Sequence, residues 1–306
     1  MRVLFAGSPD VAVPTLRAIA ESRHSLVGVL TQPARPVGRK RVTTDTAVAV
    51  VARELGVPLE TPTSSEHVMA AVREWSPDIA IVVAYGRIVG EGERLLIPQG
   101  WWNVHFSLLP RWRGAAPVPY AIQEGETTTG LSIFRIEEGL DTGPIARSLS
   151  YAIAPHDTTH TVLTKLSHDA PREVIALLDA AEAGSLVTRA QEGDATYAPK
   201  PPGDIGVMRW SDTADRLYNR FRAWGGEPGC FAVRDDTEQR VNIIDLWPDP
   251  GSGGIEPGCL VAGADGVAVG TGTTALVLST VQPAGKPVMG ALDWLRGLPP
   301  GVRFRA

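Results

Sequence analysis

The sequence predicts an α/β fold, with a doubly wound, largely parallel, Rossmann-like sheet followed by a small β-barrel. Three observations carry this. Apolar, β-branched runs alternate with helical patterns through residues 1–183, as stacked βαβ units do. A polar stretch rich in glycine and proline follows at 184–206. Beyond it, short apolar segments recur between Gly/Asp/Pro turns, the pattern of a barrel of five or six strands. At 306 residues the chain exceeds what one core usually serves. Two domains are therefore expected, 1–183 and 207–306, with 184–206 as linker.

Residues 2–6 read as a buried strand. Gly7-Ser8-Pro9-Asp10 reads as a helix entry, with Ser8 as N-cap and Pro9 at the first helical position. Ala12, Leu16, Ile19 and Ala20 keep helical spacing, and residues 25–30 give a second strand. The turn holds one glycine where a dinucleotide fingerprint needs three, which argues against NAD. Residues 33–44 concentrate Arg35, Arg39, Lys40 and Arg41 among prolines and a glycine, predicting an exposed loop. Solvated surface and a phosphate contact fit that loop equally. Helices are predicted over 46–55 and 65–75, a strand buried on both faces over 78–86, and a helix closed by Leu95 and Leu96.

Residues 101–106 then alternate, so that polar Asn103 and His105 fall on one strand face and apolar Val104 and Phe106 on the other. Asn103 is a neutral hydrogen-bonding group, and His105 can carry a proton near neutral pH. Pro110 ends the strand and a Gly/Pro loop follows, the place where open α/β sheets put active sites. Taken alone, the pair fits a core histidine beside a turn former more readily than a site. The loop Leu140-Asp141-Thr142-Gly143, between strands at 127–136 and 145–153, has two readings. Asp141 either bonds its own backbone in a turn or carries a carboxylate toward the Asn/His strand end. His156, His160 and His168 lie on or near a long helix ending at 183, but no carboxylate or cysteine cluster completes a metal set, so they read as exposed and no metal is expected. Residues 211–223 form a helix capped by Ser211, and apolar segments at 231–233, 241–246, 259–261, 267–269 and 275–281 supply the barrel strands.

The formal charge of −5 offers no generic attraction to nucleic acid or an anionic membrane. Residues 201–306 hold 10 Lys/Arg against 12 Asp/Glu, a net of −2. No apolar run is long enough to span a membrane, and the apolar opening is too short for a signal peptide. Cys230 and Cys259 are the only cysteines, which excludes a disulfide framework. A reduced, cytoplasmic monomer is the expectation.

Six motifs carry a resemblance that runs from end to end. They are Phe5-Ala6-Gly7-Ser8-Pro9-Asp10, Thr31-Gln32-Pro33, Val83-Ala84-Tyr85-Gly86, Asn103-Val104-His105 with the block from Ser107 to Pro117, Gly139-Leu140-Asp141-Thr142-Gly143, and Gln282-Pro283-Ala284-Gly285-Lys286. The chain resembles the methionyl-tRNA formyltransferase family. The resemblance implies a formyltransferase-type sheet domain, an OB-like barrel that binds tRNA, 10-formyltetrahydrofolate as cosubstrate without a metal, and initiator methionyl-tRNA as partner. It implies Asn103, His105 and Asp141 as catalytic residues, with Asn103 and a protonated His105 donating to the formyl oxygen and Asp141 holding His105 charged. Val83, Tyr85, Gly86, Ser107, Leu108, Leu109 and Pro110 would line the folate pocket. Arg35, Arg39, Lys40, Arg41 and Lys286 would contact tRNA. Thr46-Ala47 and Gly226 stand where the family usually has Ser-Pro and Pro, and Pro287 replaces a usual basic residue. The alternatives are a folate-dependent formyltransferase of amino sugar nucleotides or other small amines, which would not need the basic loop or the barrel, and a non-catalytic nucleotide- or nucleic-acid-binding α/β protein.

Overall fold

The computed structural model describes residues 1–37 and 41–306. Backbone contacts divide the chain into two units. The first comprises Met1–Pro117, Thr128–Ala152 and Thr161–Pro199, and the second Val118–Thr127, Ile153–His160 and Lys200–Ala306.

In chain order the elements up to the second unit's main segment are β1 (Arg2–Gly7), α1 (Val13–Glu21), β2 (Ser25–Leu30), β3 (Arg35–Val37), β4 (Val42–Thr44), α2 (Ala47–Glu54), β5 (Leu59–Glu60) and α3 (Ser65–Trp75). There follow β6 (Ile79–Val83), α4 (Glu91–Arg94), β7 (Trp101–His105), β8 (Arg113–Gly114), α5 (Pro117–Gln123), β9 (Thr128–Arg135), β10 (Ile145–Ala152), α6 (Thr159–Glu182) and β11 (Tyr197–Ala198). The main sheet of the first unit runs β10-β9-β7-β6-β1-β2-β5. Pairings from β5 through β7 are parallel, and β9 and β10 join antiparallel. The inner strands β1 and β6 are apolar because both faces are covered: Val3 to Ala6 and Ile79 to Val83 are all buried. On one face Trp75 of α3 packs over Gly28, where an added Cβ would sit 2.1 Å from its ring. The chain leaves β1 for β2 on one side and returns to β6 on the other. The carboxyl ends of β1, β6 and β7 therefore open side by side at the switch in winding direction, where a doubly wound sheet leaves a crevice.

Three local expectations change in the first unit. Ser8 is not a helix cap, since a 3-10 turn over Asp10–Ala12 precedes α1 and Pro9 occupies the cap position. Its hydroxyl instead donates to the Tyr85 carbonyl at 2.9 Å and accepts from the Gln32 amide at 3.2 Å, tying the ends of β1, β2 and β6 together. Residues 35–37 and 42–44 are not loop but an antiparallel ribbon. A proline is tolerated in such a ribbon because each strand has one side open to solvent, where a missing N–H costs no ladder bond. Arg39 and Lys40 lie outside the described residues. Most of the expected linker clusters with the first unit: β11 pairs with β8, and the chain is counted there as far as Pro199.

The second unit continues with α7 (Ala214–Trp224), β12 (Cys230–Val233), β13 (Arg240–Gly253), β14 (Leu260–Ala262), β15 (Val267–Gly270), β16 (Thr274–Pro283), β17 (Met289–Gly290) and α8 (Ala291–Arg296). Its antiparallel sheet runs β12-β13-β16-β15-β14, with β17 on β16. The C-terminal segment bridges both edges, Phe304 to Arg234 and Arg303 to Cys259. Helix α7 begins two residues later than expected. Thr213, not Ser211, caps it by accepting from the Arg216 amide, while Asp212 faces Arg216 and Arg220.

Candidate active site

A cavity of about 600 Å³ opens at the carboxyl ends of β6 and β7. Its floor is Asn103, His105 and Phe134, one wall is the 84–89 turn, and the other is the loop carrying Leu140 and Asp141. The turn after β6 exists because Ala84 and Gly86 take left-handed backbone, with φ of 47° and 78°. A buried ion pair anchors it: Arg87 Nη2 meets Glu93 Oε1 at 2.8 Å, and Glu93 Oε2 accepts from the Gly90 amide at 2.9 Å. Tyr85 lines the cavity, and burial pushes its hydroxyl up to about 12, so it stays a neutral phenol.

Register puts the polar pair where period two requires. Asn103 pairs with Val82 and Phe134, His105 with Ser132, and both residues reach the cavity. His105 is buried, its ring edge-on to Phe134 with centroids 6.3 Å apart. Its Nε2 lies 2.8 Å from the Trp112 carbonyl, which can only accept, so Nε2 carries hydrogen. Nδ1 is left as the nitrogen free to exchange a proton, and it faces Asp141 Oδ2 at 3.8 Å. The Asp141 carboxylate is itself aimed by the Gly114 amide, which donates to Oδ2 at 2.7 Å.

Burial pushes the His105 imidazole below the ordinary histidine range, and the opposing influences of Asp141 and the Trp112 carbonyl do not offset it. Burial therefore favours the neutral ring, with hydrogen on Nε2 toward the Trp112 carbonyl and Nδ1 facing Asp141. Burial thus works against the charge that Asp141, with Oδ2 3.8 Å from Nδ1, favours.

The structure brings together Asn103, His105, Asp141, Tyr85 and Gly86 around one cavity. Val83 and residues Ser107, Leu108, Leu109 and Pro110 are not among its lining. Val83 is inside the sheet. Ser107 is buried and turned inward, its hydroxyl on the Arg111 carbonyl at 2.6 Å, and Ser132 Oγ ties the Ser107 carbonyl to the Leu109 amide. Leu108 lies against Gly130, and Leu109 packs with Phe134 and Ile145. Through Ser132, Gly130 and Phe134 this block is held against β9. Arg35, bonded to Gln32, and Arg41 are exposed on the β3–β4 ribbon, and Lys286 is exposed in the turn after β16 of the second unit. Among the described residues no group of three or more His, Cys, Asp or Glu could hold a metal ion, and no helix is long and apolar enough to cross a membrane.

Sequence reasoning missed the part played by Trp112, Gly114, Gln191 and Thr196. They act through backbone groups or through a segment with no periodicity, so no residue pattern signals them.

The chain matches the family described as Formyl transferase over residues 1–178, and its C-terminal domain over 204–299. A methionyl-tRNA formyltransferase of Arthrobacter sp. (strain FB24) is 41% identical over 298 residues, 97% of each chain. An N-formyltransferase from Helicobacter canadensis, solved with folinic acid and dTDP-3-aminofucose, shares the fold with a TM-score of 0.70 at 16% identity, over 91% of this chain and 98% of that one. HypX from Aquifex aeolicus, solved with tetrahydrofolic acid, aligns with a TM-score of 0.67 at 17% identity, over 96% of this chain and 47% of HypX.

Proposed function

The chain belongs to the formyl transferase family, among the methionyl-tRNA formyltransferases, and on that basis we propose that it moves the formyl group of 10-formyltetrahydrofolate to the amino group of initiator methionyl-tRNA. Asn103, His105 and Asp141 are the reacting centre in this reading. The observation that carries it is the buried His105 whose Nε2 is committed to a carbonyl while Nδ1 faces a carboxylate inside a large cavity. The cavity suits the folate: Ile88 and Leu140 are apolar yet 85% and 61% exposed at its lining, where a flat cosubstrate would cover them.

The cosubstrate supplies the formyl carbon, and the chain's residues handle charge and protons. Asn103 donates its amide N–H to the formyl oxygen as negative charge develops there, a contribution of roughly 10²–10³ in rate for such donors. The neutral Nδ1 of His105 takes the proton that the attacking amine must shed. The imidazolium so formed is held by Asp141 and returns the proton to the departing folate nitrogen. One C–N bond forms, one breaks, and the proton ends on the leaving group.

The same reading assigns residues 1–183 to catalysis and 207–306, as an OB-like barrel, to tRNA binding, with Arg35, Arg39, Lys40, Arg41 and Lys286 as phosphate contacts. The test offers the purified protein 10-formyltetrahydrofolate with either methionyl-tRNA or amino sugar nucleotides. Formylation of methionyl-tRNA is expected. Transfer to the sugar nucleotides alone would replace the acceptor and leave the centre standing.

A further inference from the structure

Resting on the reading of Asp141 as the partner of His105, we propose that Gln191 is a positioning residue for the transfer, and that the strap around it sets the geometry of both catalytic side chains. The strap belongs to the stretch that composition marks as linker. Its Gln191 spends its whole carboxamide on two loops. Nε2 donates to the carbonyls of Asp141 at 2.7 Å and Gly143 at 2.9 Å. Oε1 accepts from Arg113 Nη2 at 2.7 Å and Nε at 3.2 Å. Carbonyls can only accept and a guanidinium can only donate, so the amide orientation is settled by its neighbours.

These bonds act where the backbone is under tension. Asp141 is a non-glycine residue at φ 52°, a conformation that persists only when its surroundings hold it. Gln191 grips that residue's own carbonyl. On the other side, Arg113 precedes Gly114, whose amide aims the Asp141 carboxylate. The strap fixes the 110–116 loop a second time. Thr196 Oγ1 accepts from the Trp112 amide at 2.9 Å, and the Thr196 carbonyl accepts from the Arg113 amide at 2.9 Å. Next, Ala198 O takes the Ala115 amide at 2.7 Å, and packs so closely that a Cβ at Gly114 would lie 2.6 Å from it. The loop held in this way supplies the Trp112 carbonyl that fixes the His105 tautomer. One strap thereby sets the acceptor for Nε2 and the carboxylate facing Nδ1.

The test is steady-state formyl transfer by the full chain carrying Gln191→Glu, which keeps the size and the Arg113 pairing but has no N–H for the two carbonyls. Thr196→Val supplies an independent second variant, and Glu192→Gln, on the exposed neighbour, is the control. Gln191→Glu and Thr196→Val should lower kcat roughly tenfold to a hundredfold. KM for both substrates should stay within about twofold, with melting temperature and folate binding near those of the control. With an active wild-type protein, unchanged kcat in both variants would overturn this inference alone, as would losses that merely track a fall in melting temperature and folate binding. A wild-type protein that formylates nothing would overturn the reading beneath it as well.

Discussion

Asp141→Asn isolates the role of charge at the centre. Asparagine has the same shape and can still present an oxygen to the Gly114 amide, so the 2.7 Å bond and the loop it fixes are preserved. What disappears is the negative charge 3.8 Å from Nδ1. Two unit charges at that separation attract by about 4 kcal/mol at an effective dielectric of about 20. That energy is absent while His105 is neutral and present once it carries the amine's proton, so it lowers the barrier without tightening ground-state binding. Its loss should reduce kcat by roughly 10³-fold. The assay is single-turnover formylation of methionyl-tRNA at saturating 10-formyltetrahydrofolate, with folate affinity measured in parallel. A kcat within about threefold of wild type, at unchanged folate affinity, would refute the claim that an imidazolium forms beside Asp141.

Nitrogen-15 NMR of the labelled imidazoles should show His105 as the Nε2–H tautomer at neutral pH, titrating below the ordinary value of about 6.5. Because the unfolded chain takes that proton more readily, this group should cost stability as pH falls through about 6.5 toward the folded value; a midpoint above 6.5 would reverse the assignment. Gly130→Ala should lower the melting temperature by several degrees, since its Cβ would stand 2.0 Å from the Leu149 carbonyl across the β9–β10 ladder and 2.7 Å from Leu108, exceeding ordinary overpacking of roughly 1–3 kcal/mol. Arg39→Ala should weaken use of methionyl-tRNA and reduce the slope of log KM against log salt by about one, and an unchanged slope would remove Arg39 from the tRNA contact.

The sheet was legible because its signals are local. The apolar runs of β1 and β6 and the period-two alternation of β7 report burial directly, and that alternation alone places Asn103 and His105 on one face. Ser107–Pro110, expected at the folate wall, fall outside the cavity lining, and there the hydroxyls of Ser107 and Ser132 satisfy backbone groups of the same block. Caps failed at Ser8 and Ser211, because a nearby hydroxyl marks a cap only when no tertiary partner competes, and the Tyr85 carbonyl does compete for Ser8. The strap was read as linker for a related reason. Its bonds run through Gln191, Thr196 and backbone groups to loops some 50 to 85 residues away in sequence, and glycine and proline leave no periodicity to betray them. The neighbour that favours a charge on His105 is visible in the motif, whereas the burial that opposes it appears only once the strand is enclosed.

The most direct test of the whole account is formyl transfer from 10-formyltetrahydrofolate to methionyl-tRNA by the wild-type chain beside its His105→Ala variant. Turnover by the wild type is expected, with a loss of several orders of magnitude in the variant while folate still binds. Near-normal turnover without the imidazole, or none in the wild type, would contradict it.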